Sequence, residues 1–108
     1  MIVKFDVDYA YSLCGRDGRD CVYWQVAPKT GTRRYYVTVV VDSETGHFVD
    51  TMIEDDGPYD SDAEADRAGL SAALEWMVEN DVRYSEKDAR DHQKRISSTR
   101  SPARRRWR

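Results

Sequence analysis

Cys14, Cys21, His47 and His92 are the residues of this 108-residue chain whose types suit nucleophilic or transition-metal chemistry. Their spacing supports neither. A cysteine nucleophile needs a base within reach and a recognisable local setting, and no such setting surrounds either cysteine. Structural zinc needs a second close pair of ligands beside the two cysteines, whereas His47 and His92 stand alone. Asp55, Asp56, Asp60 and Asp62 together suggest a cation site. They lack the glycine placement and terminal bidentate glutamate of a calcium loop. "CGRDGRD" carries two glycines, but it leads into a strand pattern rather than the helix that a phosphate-cradling loop requires. The expectation is a non-enzymatic protein with no catalytic residue, cofactor or metal.

Charge is the more informative chemistry. The formal net charge is −3, but the two signs are segregated. Residues 1–86 hold 18 acidic and 8 basic side chains, a net of −10; residues 87–108 hold 2 and 9, a net of +7. The densest acidic stretch, "EDDGPYDSDAEAD", runs from Glu54 to Asp66 with seven carboxylates and no Lys or Arg. At the other end, Arg100, Arg104, Arg105, Arg106 and Arg108 sit within nine residues around Trp107. Either run alone is ordinarily a solvated surface. Their separation to opposite ends of one chain points to contacts.

Two contact chemistries follow. A compact acidic surface can occupy a groove built for phosphates, because carboxylates offer arginine and lysine similar acceptors and charge. The contact residues are then Glu54, Asp55, Asp56, Asp60, Asp62 and Glu64, and the partner is a nucleic-acid-handling protein with a basic groove. Small acidic inhibitors of this sort include phage-borne DNA mimics such as anti-CRISPR proteins, an analogy of size and charge alone. The alternative is an accessory protein that binds nucleic acid through Arg100, Arg104, Arg105, Arg106, Trp107 and Arg108, with the indole stacking on a base. The acidic body repels the same polyanion, so the tail would have to act at a distance.

These residues need elements to position them. With 40% hydrophobic and 34% charged residues, the chain has material for one core. Ile2–Tyr11 alternates apolar and polar residues as a half-buried strand does. A loop precedes a second strand, "CVYWQVA", and "PKTGT" turns the chain into "RRYYVTVVVD", dense in β-branched and aromatic residues. "SETG" connects to a fourth strand, "HFVDTMIED", and "DDGPYD" is expected to break the sheet. Short connections make successive strands antiparallel neighbours. A helix then starts at Ser61, whose hydroxyl can cap the Glu64 amide, and ends near Glu79 or Asn80. Asp62, Glu64 and Asp66 lie where the helix dipole favours negative charge.

A second helix over about Ser85–Ile96 has acid-first pairs Glu86–Arg90 and Asp91–Arg95. Ala89 and Ile96 are its only apolar residues, so it is marginal. From Ser97 the sequence loses periodicity and is expected to be disordered when unbound.

The expected fold is therefore α+β: a four-stranded antiparallel meander and one packed helix over 1–84, then a basic extension over 85–108. One helix covers one face of a sheet, so the other is expected to show an apolar strip fit for a homodimer or a foreign partner. Cys14 and Cys21 bracket the first turn. In a reducing cytosol they are expected as free thiols, with a cross-hairpin bridge open under oxidising conditions. No apolar run has signal-peptide or membrane-spanning length, and a cytoplasmic protein is the expectation.

Overall fold

Alternation in the two most β-prone runs builds the centre of the molecule. A computed structural model of the chain describes residues 7–28, 31, 34–42 and 48–105, with side chains for all of these except 7, 48–57 and 99–105. Strands β1 (Tyr11–Cys14), β2 (Cys21–Pro28), β3 (Tyr35–Asp42) and β4 (Phe48–Tyr59) form one sheet in the order β1-β2-β3-β4. Every neighbouring pair is antiparallel. Helices α1 (Asp62–Glu79) and α2 (Glu86–Arg105) follow, and the α+β meander expected from the sequence is the observed fold.

Register puts alternate residues on one face. Leu13 pairs with Val22, Val22 with Val41, Trp24 with Val39 and Val26 with Val37. Leu13, Val22, Trp24, Val37, Val39 and Val41 are buried there against Ala65, Leu70, Ala73 and Met77 of α1. The helix approaches closely because of Gly69. A Cβ at that position would lie 2.3 Å from Trp24 Cδ1 and 2.8 Å from Trp24 Cβ. Ser61 caps α1 as expected, its Oγ accepting from Glu64 N at 3.1 Å.

Several boundaries differ from expectation. β1 starts only at Tyr11, and Val7–Tyr9 is a 3-10 turn; residues 1–6 lie outside the described residues. β4 does not break at Gly57–Pro58 but continues to Tyr59. The ladder accommodates the extra residue by a shift between the pairs Val37↔Asp56 and Tyr35↔Tyr59. A bulge on an edge strand tolerates proline's missing N–H.

Ser85 caps α2 by accepting from Asp88 N at 3.2 Å. The helix continues through Arg105, nine residues beyond its expected end. Ala89 and Ile96, its two apolar residues, are both buried, and Ile96 joins the main core. The first half of α2 is thus part of the domain rather than an appendage to it.

Cys14 and Cys21 form a disulfide instead of standing as free thiols. They are directly opposed in the β1–β2 register, with Cα atoms 4.0 Å apart. Antiparallel pairing therefore brings the two sulfurs together.

Among the described residues, no helix is long and apolar enough to cross a membrane.

Candidate functional site

The acidic stretch does not form one loop. Glu54, Asp55 and Asp56 occupy β4 positions opposite Val39, Thr38 and Val37. Asp60 lies in the bend that follows, and its carboxylate meets Arg34 Nε at 3.6 Å with both side chains exposed. Asp62 and Glu64 are exposed in the first turn of α1. The six residues thus follow a continuous path from the outer strand to the helix start. The side chains of the first three are outside the described residues.

Asp66, assigned to the same first-turn charge by sequence, faces inward and is buried. Its carboxylate accepts three donors besides the core around it. Trp24 Nε1 donates to Oδ1 at 2.8 Å. Arg95 forms a fork, Nη1 to Oδ2 at 2.5 Å and Nη2 to Oδ1 at 3.0 Å. Paired, forked geometry of this kind is what makes a buried carboxylate tolerable. The sequence expectation of an Asp91–Arg95 pair fails for this reason. Arg95 turns to the more buried acid, and Asp91 takes Lys87 at 3.0 Å. That hydrogen bond holds the Asp91 carboxyl below its ordinary value. Glu86 and Arg90 do pair, at 3.9 Å.

Arg95 and His92 complete a latch between α2 and the sheet. Arg95 Nη2 also donates to His92 Nδ1 at 3.1 Å, and His92 Nε2 lies 2.8 Å from the Ser12 carbonyl oxygen. A guanidinium only donates and a carbonyl only accepts. In this arrangement the ring therefore carries its proton on Nε2, which donates to Ser12. The imidazole packs edge-on to Trp24 at 5.0 Å between ring centroids. The guanidinium carbon of Arg95 sits 3.5 Å from the Tyr11 ring centroid, a cation–π contact. One bond from the basic segment to the acidic stretch is therefore internal: Arg95 to Asp66.

A pocket of about 270 Å³ opens beside the latch. Tyr9, Tyr11 and Tyr35 line it, with Asp62 and Asp66 from α1 and Ile96 from α2. The sequence by itself does not bring Tyr9, Tyr11 and Tyr35 together. It had one signal for Asp66: with Gly69, Leu70, Ala73 and Met77, this residue falls on the apolar face of α1. A carboxylate in that position requires a buried cationic or hydrogen-bonding partner.

The remaining candidates are not brought together. Both cysteines are used in the disulfide, both nitrogens of His92 are engaged, and His47 lies outside the described residues. No group of three His, Cys, Asp or Glu converges to hold a metal among the described residues. Arg100, Arg104 and Arg105 belong to α2, their side chains not described; Arg106, Trp107 and Arg108 lie outside the described residues.

On the face of the sheet away from α1, the expected exposed apolar strip is absent among the described residues. Tyr23, Gln25, Ala27 and Tyr36 are half-buried around buried Thr38 and Val40. Among the residues with described side chains, the exposed large apolar ones are Tyr9, Tyr11 and Val78, and none of them belongs to that face. Bulky neighbours in register shade one another there, with Val40 beside Tyr23 and Tyr36 beside Ala27.

No family model matches this chain, and no curated protein or solved structure matches it.

Proposed function

We propose that the protein is a non-enzymatic inhibitor or adaptor that binds a nucleic-acid-handling protein through its acidic end. One observation carries this reading. Asp60, Asp62 and Glu64 stay exposed at the β4–α1 junction, while the inward carboxylate of the same stretch is neutralised internally by Arg95. Asp62 and Glu64 therefore remain as surface charge, with Asp60 beside Arg34 at the bend, in chain continuity with Glu54, Asp55 and Asp56 on the outer strand. Carboxylates spread along a strand and onto a helix end offer acceptors at intervals, which suits a groove lined by Arg and Lys. Complementary charge of this kind sets partner choice and encounter rate more than raw affinity. The alternative, nucleic-acid binding by the arginine tail, rests on composition alone.

The test uses the full-length protein in three forms. One is unaltered, one carries Asp55→Asn, Asp56→Asn, Asp60→Asn and Asp62→Asn, and one carries Arg104→Ser, Arg105→Ser and Arg106→Ser. Each is immobilised to capture proteins from an extract, with duplex DNA as a competitor, and each is titrated with labelled oligonucleotides. The expected outcome is a captured protein lost with the aspartates, kept without the arginines and displaced by DNA. Tight, salt-sensitive oligonucleotide binding that disappears with the arginines would replace this reading with the alternative.

A further inference from the structure

The pocket beside the latch combines features that select a ligand class. Tyr9, Tyr11 and Tyr35 line it beside the apolar Val26, Pro28, Ala63 and Ile96, and its two acids are the buried Asp66 and the exposed Asp62. Aromatic faces present negative electrostatic potential. An anion would meet that potential and the Asp62 carboxylate, the charge of Asp66 being already paired with Arg95, so anions are disfavoured. Burying an apolar ligand there would desolvate Asp62 without giving it a partner. A cation is favoured by both groups.

The N-terminus of α1 opposes this, since its dipole places about half a positive charge near Asp62. Asp62 and Glu64 in the first turn outweigh it, and Ser61 already occupies the Glu64 amide.

Size and shape narrow the choice. At about 270 Å³ the pocket falls below the usual range for cofactors and drug-sized molecules. The tip of a side chain fits such a volume. Tyr9, 77% exposed, leaves the mouth open for the rest of a polypeptide. The protein itself shows which cation its tyrosines accept. Arg95 lies over Tyr11 while forking onto Asp66, a planar guanidinium using ring and carboxylate together. Asp62 with Tyr9 and Tyr35 repeats those partner types on the pocket side. Guanidinium is also more weakly hydrated than ammonium and stacks where ammonium cannot.

We infer that the pocket formed by Tyr9, Tyr11, Tyr35 and Asp62 is an anchor site for an arginine side chain of the protein partner. The source of that arginine rests on the function proposed above; the pocket's preference for guanidinium does not. The anchor gives the acidic end a fixed point of register, since a surface of exposed carboxylates alone specifies orientation weakly.

The probe is the capped peptide acetyl-Gly-Arg-Gly-amide, titrated into the full-length protein and followed through the tyrosine ring resonances. The peptides with lysine and with citrulline, the neutral isostere of arginine, serve as comparisons. Arginine is expected to shift the Tyr9, Tyr11 and Tyr35 signals saturably, lysine more weakly, and citrulline not at all. Asp62→Asn and Tyr9→Ala change exposed residues, and each is expected to weaken the arginine peptide by about threefold.

Equal binding of citrulline, or shifts that spare these tyrosines, would overturn the pocket assignment even if the acidic-end variant still loses its captured partner. Arginine binding with capture unaffected by the aspartate changes would overturn the partner as its source. If the unaltered chain self-associates, and both Arg104→Ser/Arg105→Ser/Arg106→Ser and Tyr9→Ala abolish this, the arginine comes from a second copy instead.

Discussion

Asp66 is held by three donors from two other elements, and this decides what removing each would cost. Trp24 approaches from β2, and Arg95 from α2 supplies two of the three hydrogen bonds. Arg95→Ala would leave a buried carboxylate with the indole alone. Loss of one partner of a buried pair is more harmful than loss of both, because the remaining charge is stranded. Arg95 keeps some solvent contact, with 28% of its side chain exposed, so the expected loss is about 3 kcal/mol, the low end for such pairs. Asp66→Ala with Arg95→Ala is expected to be less damaging than the sum of the two single changes by more than about 1 kcal/mol. Urea unfolding of the four proteins measures this directly. Additive effects would show that the fork contributes nothing beyond its separate parts.

Close packing of α1 on the sheet depends on an absent side chain. Gly69 in mid-helix costs helix propensity, and alanine there would regain about 1 kcal/mol if nothing else changed. The Trp24 ring and its Cβ occupy the space that a methyl group needs. Trp24 is fully buried and tied to Asp66, so it has no free direction in which to yield. Overpacking costs roughly 1–3 kcal/mol, so Gly69→Ala is expected to lower stability on balance, seen as a reduced thermal midpoint. A raised midpoint would mean that α1 can slide along the sheet. Such elements were legible where local chemistry and packing agree. β2, β3 and the capped start of α1 fall where alternation and Ser61 place them. The misjudged elements turn on partners distant in sequence. α2 looked marginal because Ala89 and Ile96 are few, yet its attachment is largely polar, through His92 to Ser12 and Arg95 to Asp66. β4 outran its expected end because the β3 ladder and a bulge outweigh the local signal of Gly57 and Pro58. The same limit hid the pocket, whose tyrosines come from the turn before β1, from β1 itself and from β3.

Over the whole molecule, the charge division visible in the sequence is bridged at two described points, Glu86–Arg90 at the boundary itself and Arg95–Asp66 across the fold. The net −10 of residues 1–86 and the +7 of residues 87–108 meet at these two pairs. Lys87 and Arg90 spend their charge on acids of α2 itself. Among the residues with described side chains, Ile96 is the last buried position of α2. At about 1.5 Å per residue, the nine further residues to Arg105 extend the helix by roughly 13 Å. A helical extension of that length separates the task of holding α2 from the task of carrying arginines. Replacing Arg104, Arg105 and Arg106 with serine is therefore expected to change the unfolding free energy by less than about 0.5 kcal/mol, the range for surface substitutions away from structural contacts. A loss above about 1 kcal/mol that vanishes at high salt would show that the arginines bind the chain's own carboxylates. The acidic end would then be partly occupied in the free protein, and a partner would have to displace the tail before reaching Asp60 and Asp62. With the tail energetically separate, the acidic end is available without rearrangement, and the proposed association would be limited by encounter of two complementary charged surfaces.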